Sequence, residues 1–425
     1  MSDDRLAFVA TNDLVALTRG RGLPSADLSV TSGVGWVPAD LAINSFGHLV
    51  EPNPFGALGD LRLIPDPKTK CAFPLPGGDV DFYLADQTLP DGSPWECCPR
   101  TNLKQALARL LADHRLSLTV AFEHEFALLD ATDRQAGPGA FTIGGLTAGE
   151  PFGSRARRNL NGAGIEWENW LPEYGPGQFE VTVRPSDALR AADAAVLTRE
   201  IIRESARQEG LRATFAPLLD PNAVGNGVHV HMSLWRDGQQ MTFDVSGPAG
   251  LSPSASQACA GILTHTSALL AWTAPSRVSF LRLTPHRWSS AGAFVGLHNR
   301  EALLRVSPMV PGDTVGRTFN IEYRAADATA NPHLVLAALV HAMCDGLERA
   351  APIDRVLTGH IDDEVFDPLP PTVDAAHEAF LADEIAQSWF ADDLVTTAAA
   401  VRRGEEEHLA GLSEAERCRA YAEVL

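Results

Sequence analysis

Lysine is almost missing from this chain: of 425 residues only Lys68, Lys70 and Lys104 carry an ammonium side chain. Cationic contacts in the second half must therefore come from arginine, whose planar fork suits carboxylates and phosphates. Basic stretches are missing as well. With 34 Lys+Arg against 54 Asp+Glu the formal charge is −20, so no nucleic-acid partner is expected. Small anions remain possible ligands, because a few buried arginines or metal ions set the local field whatever the net charge. No run approaches the roughly 18 apolar residues that would span a bilayer, and no membrane partner is expected. The opening MSDDRLAFVATNDLV has no basic segment followed by an apolar one, so a cytoplasmic protein is expected. Six cysteines, at 71, 97, 98, 259, 344 and 418, lack metal-ligand spacing and read as reduced thiols. There is no GxxxxGK(S/T) phosphate loop, and no pair of histidines at helical i, i+4 spacing around a glutamate as in zinc hydrolases.

What is present is the ordinary balance of a soluble enzyme, 45% hydrophobic and 21% charged, with enough length for two or three domains. From Arg5 to about Pro99 the chain reads as strand and turn. RLAFVATND and LVALTRGRGLP form an expected hairpin, and LRLIPDP a further short strand. TNLKQALARLLADHR then reads as an amphipathic helix with Leu103, Ala106, Leu107, Leu110 and Leu111 on one side. The domain boundary is placed near its start. Beyond it, strands alternate with long helices, which predicts an α+β or α/β layout around one antiparallel-leaning sheet. SDALRAADAAVLTREIIRESARQEG is the clearest helix, capped by Ser186 or Asp187 and ended at Gly210. Another starts at NPHLVLAALVHAMCDGLERA, with Asn331 as cap and Pro332 first in the helix. The Gly, Ala, Thr and Arg-rich stretch from about Gln135 to Asn161 is expected to be a surface loop or flap.

Four segments share a peculiarity: their polar residues recur with period two, which gathers them on one face of a strand. In SLTVAFEHEFALL, Glu123 and Glu125 oppose Phe122, His124, Phe126 and Leu128. In GQFEVTV, Gln178, Glu180 and Thr182 oppose Phe179, Val181 and Val183. In GVHVHMSLW, His229, His231 and Ser233 oppose Val228, Val230 and Met232. In FNIEYRA, Asn320, Glu322 and Arg324 oppose Phe319, Ile321 and Tyr323. Each segment alone would pass for a half-exposed antiparallel strand with a wet side. If the strands are neighbours, however, Glu123, Glu125, Glu180, His229, Glu322 and Arg324 reach a common cavity. So many carboxylates cannot crowd together without cations, and hard oxygen ligands with one imidazole suit Mg²⁺ or Mn²⁺ better than Zn²⁺. Paired ions of this kind commonly bridge nucleotide phosphates.

The segments EHEF, EYGPGQFE, GNGVHVHMSL, NREALLR and IEYRAADATANP, in this order and at these intervals, resemble the signature segments of the glutamine synthetase family over nearly the whole chain. The finer resemblance is to its γ-glutamyl-amine ligases, such as the γ-glutamylpolyamine synthetases. The resemblance implies a small β-grasp-like domain over residues 1–100 and a catalytic domain over 101–425 with a funnel of antiparallel strands. It implies a homo-oligomeric double ring, a dodecamer or decamer, and two to three Mg²⁺ or Mn²⁺ ions per active site with ATP as cosubstrate. One ion would be held by Glu125, Glu173 and Glu180, the other by Glu123, His229 and Glu322. Glu173 rests on a motif variant one residue shorter than in the bacterial ammonia-using enzymes. Arg282 and Arg324 would grip the glutamate carboxylates, with Gly225 allowing close backbone approach. Arg300 and Arg305 would bind phosphates and the transferred phosphoryl group, and with Glu322 they make up the catalytic set. His231, Ser233 and Arg317, the last in place of a family lysine, would lie beside the nucleotide; for Ser233 a plain strand position is an equal reading.

Two places depart from the family pattern. Ammonia-using members carry an acid in a small-domain loop and a glutamate on a flap, which together bind ammonium and remove its proton. Here the loop reads GVGWVPADLAIN, with Val37 or Pro38 at the acid's place and Asp40 displaced by two or three residues. The flap reads RLTPHRWSSAG, with Trp288 at the glutamate position and His286 and Arg287 beside it. Losing both carboxylates weakens binding of a small cation and removes its base, whereas an indole suits a bulkier amine. The expectation is an ATP-dependent ligase that joins glutamate, or a close analogue, to an organic amine other than ammonia. Its alternatives are an ammonia-using glutamine synthetase or a catalytically silent relative with a binding or regulatory role. Trp288 could also merely pack the flap shut. The family's lysine in the segment TFAPLLDP is missing, with no assignable consequence.

Overall fold

Alternate residues of LRLIP are buried, whereas LAFVATN, flanked by strands on both sides, is buried on both faces from Val9 to Asn12; both strands belong to the first of two sheets. The structure is a computed structural model that describes residues 5–129, 139–290, 292–313, 316–359 and 366–425. The first, six-stranded sheet runs Thr18–Pro24, Leu6–Asn12, Val80–Thr88, Leu61–Pro65, Val34–Trp36, with Cys71–Phe73 on Val80–Thr88. The expected hairpin of Leu6–Asn12 and Thr18–Pro24 is present, and Leu6–Asn12 runs parallel to Val80–Thr88.

The second sheet has twelve described strands. Its main path runs Leu357–Thr358, Gly292–Leu297, Ala302–Val306, Ile321–Tyr323, Val228–Arg236, Ser117–Leu128, Gln178–Val183, Trp167–Pro172. Pairing is antiparallel from Ala302–Val306 to Trp167–Pro172, and parallel only where Gly292–Leu297 meets its neighbours Ala302–Val306 and Leu357–Thr358. Helices pack behind it. Ala188–Gln208 is capped by Asp187, not Ser186, whose carboxylate accepts from Arg190 N at 3.1 Å. Pro332–Arg349 is capped by Asn331, whose side chain accepts from the His333 and Leu334 amides. The helix Pro99–His114 buries Leu103, Ala106 and Leu110, but Leu111 is 60% exposed. A narrower apolar stripe suffices there, because the helix packs mainly on Pro332–Arg349.

The expected loop from 135 to 161 is corrected in part. Residues 135–138 lie outside the described residues, but Ile143–Ala148 and Phe152–Gly162 are helical. Phe152, Ala156 and Leu160, spaced by four, bury one stripe of the latter, while its arginines face outward or pair, as Arg157 does with Glu150.

One buried apolar cluster runs from Val9 to Val401 and unites the two sheets. Polar clamps reinforce it. Arg100, 4% exposed, donates to Asp66 and Asp86 of the first sheet's loops and strands and to Asp193 of the Ala188–Gln208 helix, at 2.7 to 2.9 Å. Removing a buried guanidinium that balances several carboxylates costs about 3–5 kcal/mol. Asn331 Nδ2 donates to the carbonyls of Asn12 and Asp13, at 2.8 and 2.9 Å, tying the helix cap to the first hairpin. No described helix is long and apolar enough to cross a membrane.

Candidate active site

Strand register brings the expected acids together. Glu125 pairs directly across from Glu180, Glu123 from His229 and Thr182, and His231 from Glu322, which in turn faces Arg305. The polar residues thus form a band across five strands, and the opposite faces, with Phe122, Phe126, Val181 and Val230, sit in the core. The expected wet side is not wet everywhere: Gln178–Val183 is buried throughout, because helices cover one face and the acids enclose the other.

Over this band lies a cavity of about 730 Å³ lined by Glu123, Glu125, Glu173, Glu180, Gly225, His229, Arg282, Trp288, Arg300, Arg305 and Arg324, among others. Glu322 sits just behind, 1% exposed. Like charges directly opposite one another repel, and the acids show it. Burial, and then the charges of Glu123, Glu125 and Glu173, push Glu180 up to about 10. Burial and then Glu125 raise Glu173 to about 7. At the other side of the band cations win. Burial would raise Glu322, but Arg324, then His231 and His229, hold it down at about 2. Against burial, Glu123 and Glu322 lift His231 to about 9, and His229 and His231 keep Glu123 well below the usual carboxylate range.

This uneven titration is what a carboxylate cage shows when its charge is not balanced. A hard cation would balance it, and the donor set of carboxylate oxygens and imidazole nitrogens fits one. Oxygen and nitrogen atoms of Glu123, His231 and Glu322 all lie within 4.8 Å of one another, in a group able to hold a metal ion. The histidine in that group differs from the expected His229. His229 Nδ1 is 2.7 Å from Glu123 and 3.7 Å from Glu322, whereas His231 Nε2 is buried with no hydrogen-bond partner, 3.5 Å from Glu123. Both imidazoles therefore face the cage, and Asn320 Oδ1, 2.9 Å from His231 Nδ1, orients the second.

The arginines divide in two. Arg305 Nη1 donates to Glu322 at 2.6 Å, and Arg300 is exposed to the cavity. Arg324 is 2% exposed and its guanidinium is already engaged. It pairs with Glu322, donates from Nε to the Arg300 carbonyl at 2.8 Å, and from Nη2 to the Trp288 carbonyl at 3.0 Å. These contacts join flap and cage, and Arg324 also lines the cavity. Arg282 donates to the carbonyls of Ala325 and Ala326 and presents the rest of its guanidinium to the cavity. Gly225 serves it: a Cβ there would stand 2.6 Å from Arg282 Cγ, so the close approach is to the arginine.

Ser233 and Arg317 do not line the cavity. Ser233 Oγ accepts from Trp235 Nε1 at 2.9 Å on the same strand, and Arg317 is exposed on the Gly316–Phe319 turn. At the mouth, Trp288 is 57% exposed with φ +55°, a backbone conformation rare for bulky residues and often found at functional sites. Its ring meets Tyr174 edge to face at 5.3 Å, and Tyr174 meets Phe141 at 4.9 Å. Tyr174 and Phe141 were not singled out from the sequence, although Tyr174 adjoins Glu173 in the EYGPGQFE segment. Asp40 lies outside the lining of this cavity, in the turn Pro38–Ala42.

Residues 96–421 match the family described as Glutamine synthetase, catalytic domain, and residues 3–95 match the Glutamine synthetase N-terminal domain. The chain is 32% identical to gamma-glutamylpolyamine synthetase GlnA3 of Streptomyces coelicolor, over 96% of this chain and 90% of that protein. It is 30% identical to the glutamine synthetase of Methanocaldococcus jannaschii, over 81% and 79% of the two chains. Among solved structures it resembles a novel glutamine synthase homolog, with a TM-score of 0.92 and 39% identity over 100% and 99% of the chains. It also resembles ligand-free GmaS, with a TM-score of 0.82 and 27% identity over 98% and 96%.

Proposed function

The chain belongs to the glutamine synthetase family and is an ATP-dependent carbon–nitrogen ligase, and from that premise we propose that it joins glutamate, or a close analogue, to an organic amine other than ammonia. The observation that carries the reading is Trp288, exposed at the cavity mouth against Tyr174, where a carboxylate would be needed to hold ammonium and take its proton. Among the described residues the carboxylates that line the cavity, Glu123, Glu125, Glu173 and Glu180, belong to the cage. Family members use ATP and divalent metals. When bound by Glu123, Glu125, Glu173, Glu180, Glu322 and the two histidines, divalent ions, Mg²⁺ or Mn²⁺, would supply positive charge against carboxylates and phosphates.

The reaction has two steps. An oxygen of the substrate's γ-carboxylate attacks the terminal phosphorus of ATP, and ADP leaves. Arg300 and Arg305 face the cavity and would offset charge on the phosphoryl group in transit. The acyl phosphate then has a good leaving group that a free carboxylate lacks, and the amine displaces phosphate. Arg282 would hold the substrate's anionic end. Arg324 would act through others, fixing Glu322 and the main chain at Arg300 and Trp288. Tyr174 and Trp288 would keep water from the acyl phosphate and cradle the acceptor. The relative named for a polyamine product supports the γ-glutamyl amide class.

Assembly into a homo-oligomeric ring and a division near residue 100 belong to the same reading. The two-sheet layout and the family matches, which meet between 95 and 96, support the division. The test is ADP release from glutamate, ATP and Mg²⁺ across a panel of alkylamines, anilines, ethanolamine, polyamines and ammonium. An organic amine should exceed ammonium in kcat/KM by at least about tenfold. Ammonium performing as well as every amine would overturn the reading.

A further inference from the structure

Trp288 separates the main cavity from a second one, of about 460 Å³, walled by Tyr174, Asn222, Val224, His286, Arg287 and Trp288 itself. Tyr174, Val224, Arg287 and Trp288 line both, so the two communicate past the indole. Their linings differ in charge. The main cavity has four glutamates and five arginines in its wall, whereas among the described residues the second has no carboxylate and Arg287 as its arginine. Arg287 is half-buried there, steadied by donation from Nη1 to the Ala223 carbonyl at 3.3 Å. The exposed rings of Tyr174 and Trp288 and the exposed Val224 give it apolar walls.

We propose that this antechamber receives the acceptor, and that the acceptor is a monoamine with a short apolar body ending in a carboxylate or similar anion. This rests on the ligase reading and narrows its substrate class. With its nitrogen at the acyl phosphate, such a molecule lays its body on Tyr174 and Trp288 and meets Arg287 with its far end. The amine lone pair forms the C–N bond as the C–O bond to phosphate breaks, phosphate leaves with the electron pair, and one amine proton passes to solvent. A guanidinium binds a carboxylate through a fork of two donors. The distal ammonium of a polyamine would instead be desolvated beside that guanidinium with no acid to pair it. The preference is thus opposite to that in the name of the Streptomyces coelicolor relative.

Three four-carbon acceptors of equal reach decide the matter: γ-aminobutyrate, butylamine and putrescine, each assayed for kcat/KM with glutamate and ATP. The expected order is γ-aminobutyrate, then butylamine, then putrescine, with the first and last at least about tenfold apart. Arg287→Glu should reverse the order. Putrescine matching γ-aminobutyrate in the unaltered protein overturns the proposal, as does an order that Arg287→Glu leaves unchanged; if that variant does not fold, the unaltered protein decides alone. Hydroxylamine, small enough to need no antechamber, traps the acyl phosphate as a hydroxamate. Hydroxamate without reaction of γ-aminobutyrate sinks the acceptor assignment and spares the ligase, whereas no hydroxamate sinks both.

Discussion

The floor and the mouth of the cavity are built on different principles. The floor is strand: Glu123, Glu125, Glu180, His229, His231 and Glu322 stand where pleat and register put them, buried or half-buried, with charges that offset or oppose one another within a few ångströms. The mouth is loop: Phe141, His286 and Trp288 all have positive φ, and Phe141, Tyr174 and Trp288 are more than half exposed. A site of this kind separates a reaction common to a family from the choice of what reacts. Rigid strands hold charge that must not move, and loops carry the contacts that can vary.

The largest blow to the floor should come from Glu322→Ala, which leaves Arg305 and Arg324 without their shared acid. Turnover in hydroxamate formation should fall by about a thousandfold or more; a variant within tenfold of the parent would show that the band is not the reacting centre. Next is the metal-free protein's response to pH. Glu173 and Glu180 are raised in the folded state, to about 7 and about 10. They bind protons more tightly folded than unfolded, so stability is fullest below their unfolded pKa near 4.5 and is lost as pH rises through the two folded values. The melting temperature without metal should therefore decline from pH 5 to pH 10, and saturating Mg²⁺ should flatten the decline, adding about 2.7 kcal/mol at a hundred times its Kd. A metal-free profile that rises over this range contradicts the cage.

At the mouth, Trp288→Ala should raise KM for the preferred amine by about tenfold while changing hydroxamate formation little; equal losses in both would move Trp288 from acceptor choice to chemistry. The smallest change separates the two readings of Ser233. If its role is the bond from Trp235, Ser233→Ala costs about 1 kcal/mol of stability and leaves KM for ATP unaltered. A severalfold rise in that KM would return Ser233 to the nucleotide.

The floor was legible in the sequence for a physical reason: a two-residue period survives any detail of packing, so Glu123 and Glu125, or His229 and His231, share a face wherever the strand lies. Which imidazole joins a metal group was not legible, since both lie on that face and the choice depends on side-chain rotamers. The helix caps Asp187 and Asn331 were readable because capping is local chemistry. The helix Phe152–Gly162 was missed although Phe152, Ala156 and Leu160 had the right spacing, because glycines and arginines around them read as loop. Gly225 and Arg324 show the remaining limit. Each has its partner far along the chain, the glycine against Arg282 and the arginine under Trp288, and no local pattern announces such contacts.

The single guanidinium of Arg324 holds Glu322, the Arg300 carbonyl and the Trp288 carbonyl at once. The path of the flap is thereby anchored to Glu322 through its main chain, and these bonds use none of the ornaments it displays, the side chains at 286, 287 and 288. Descendants of this chain could acquire a new nucleophile by exchanging those ornaments, without redrawing the loop that displays them.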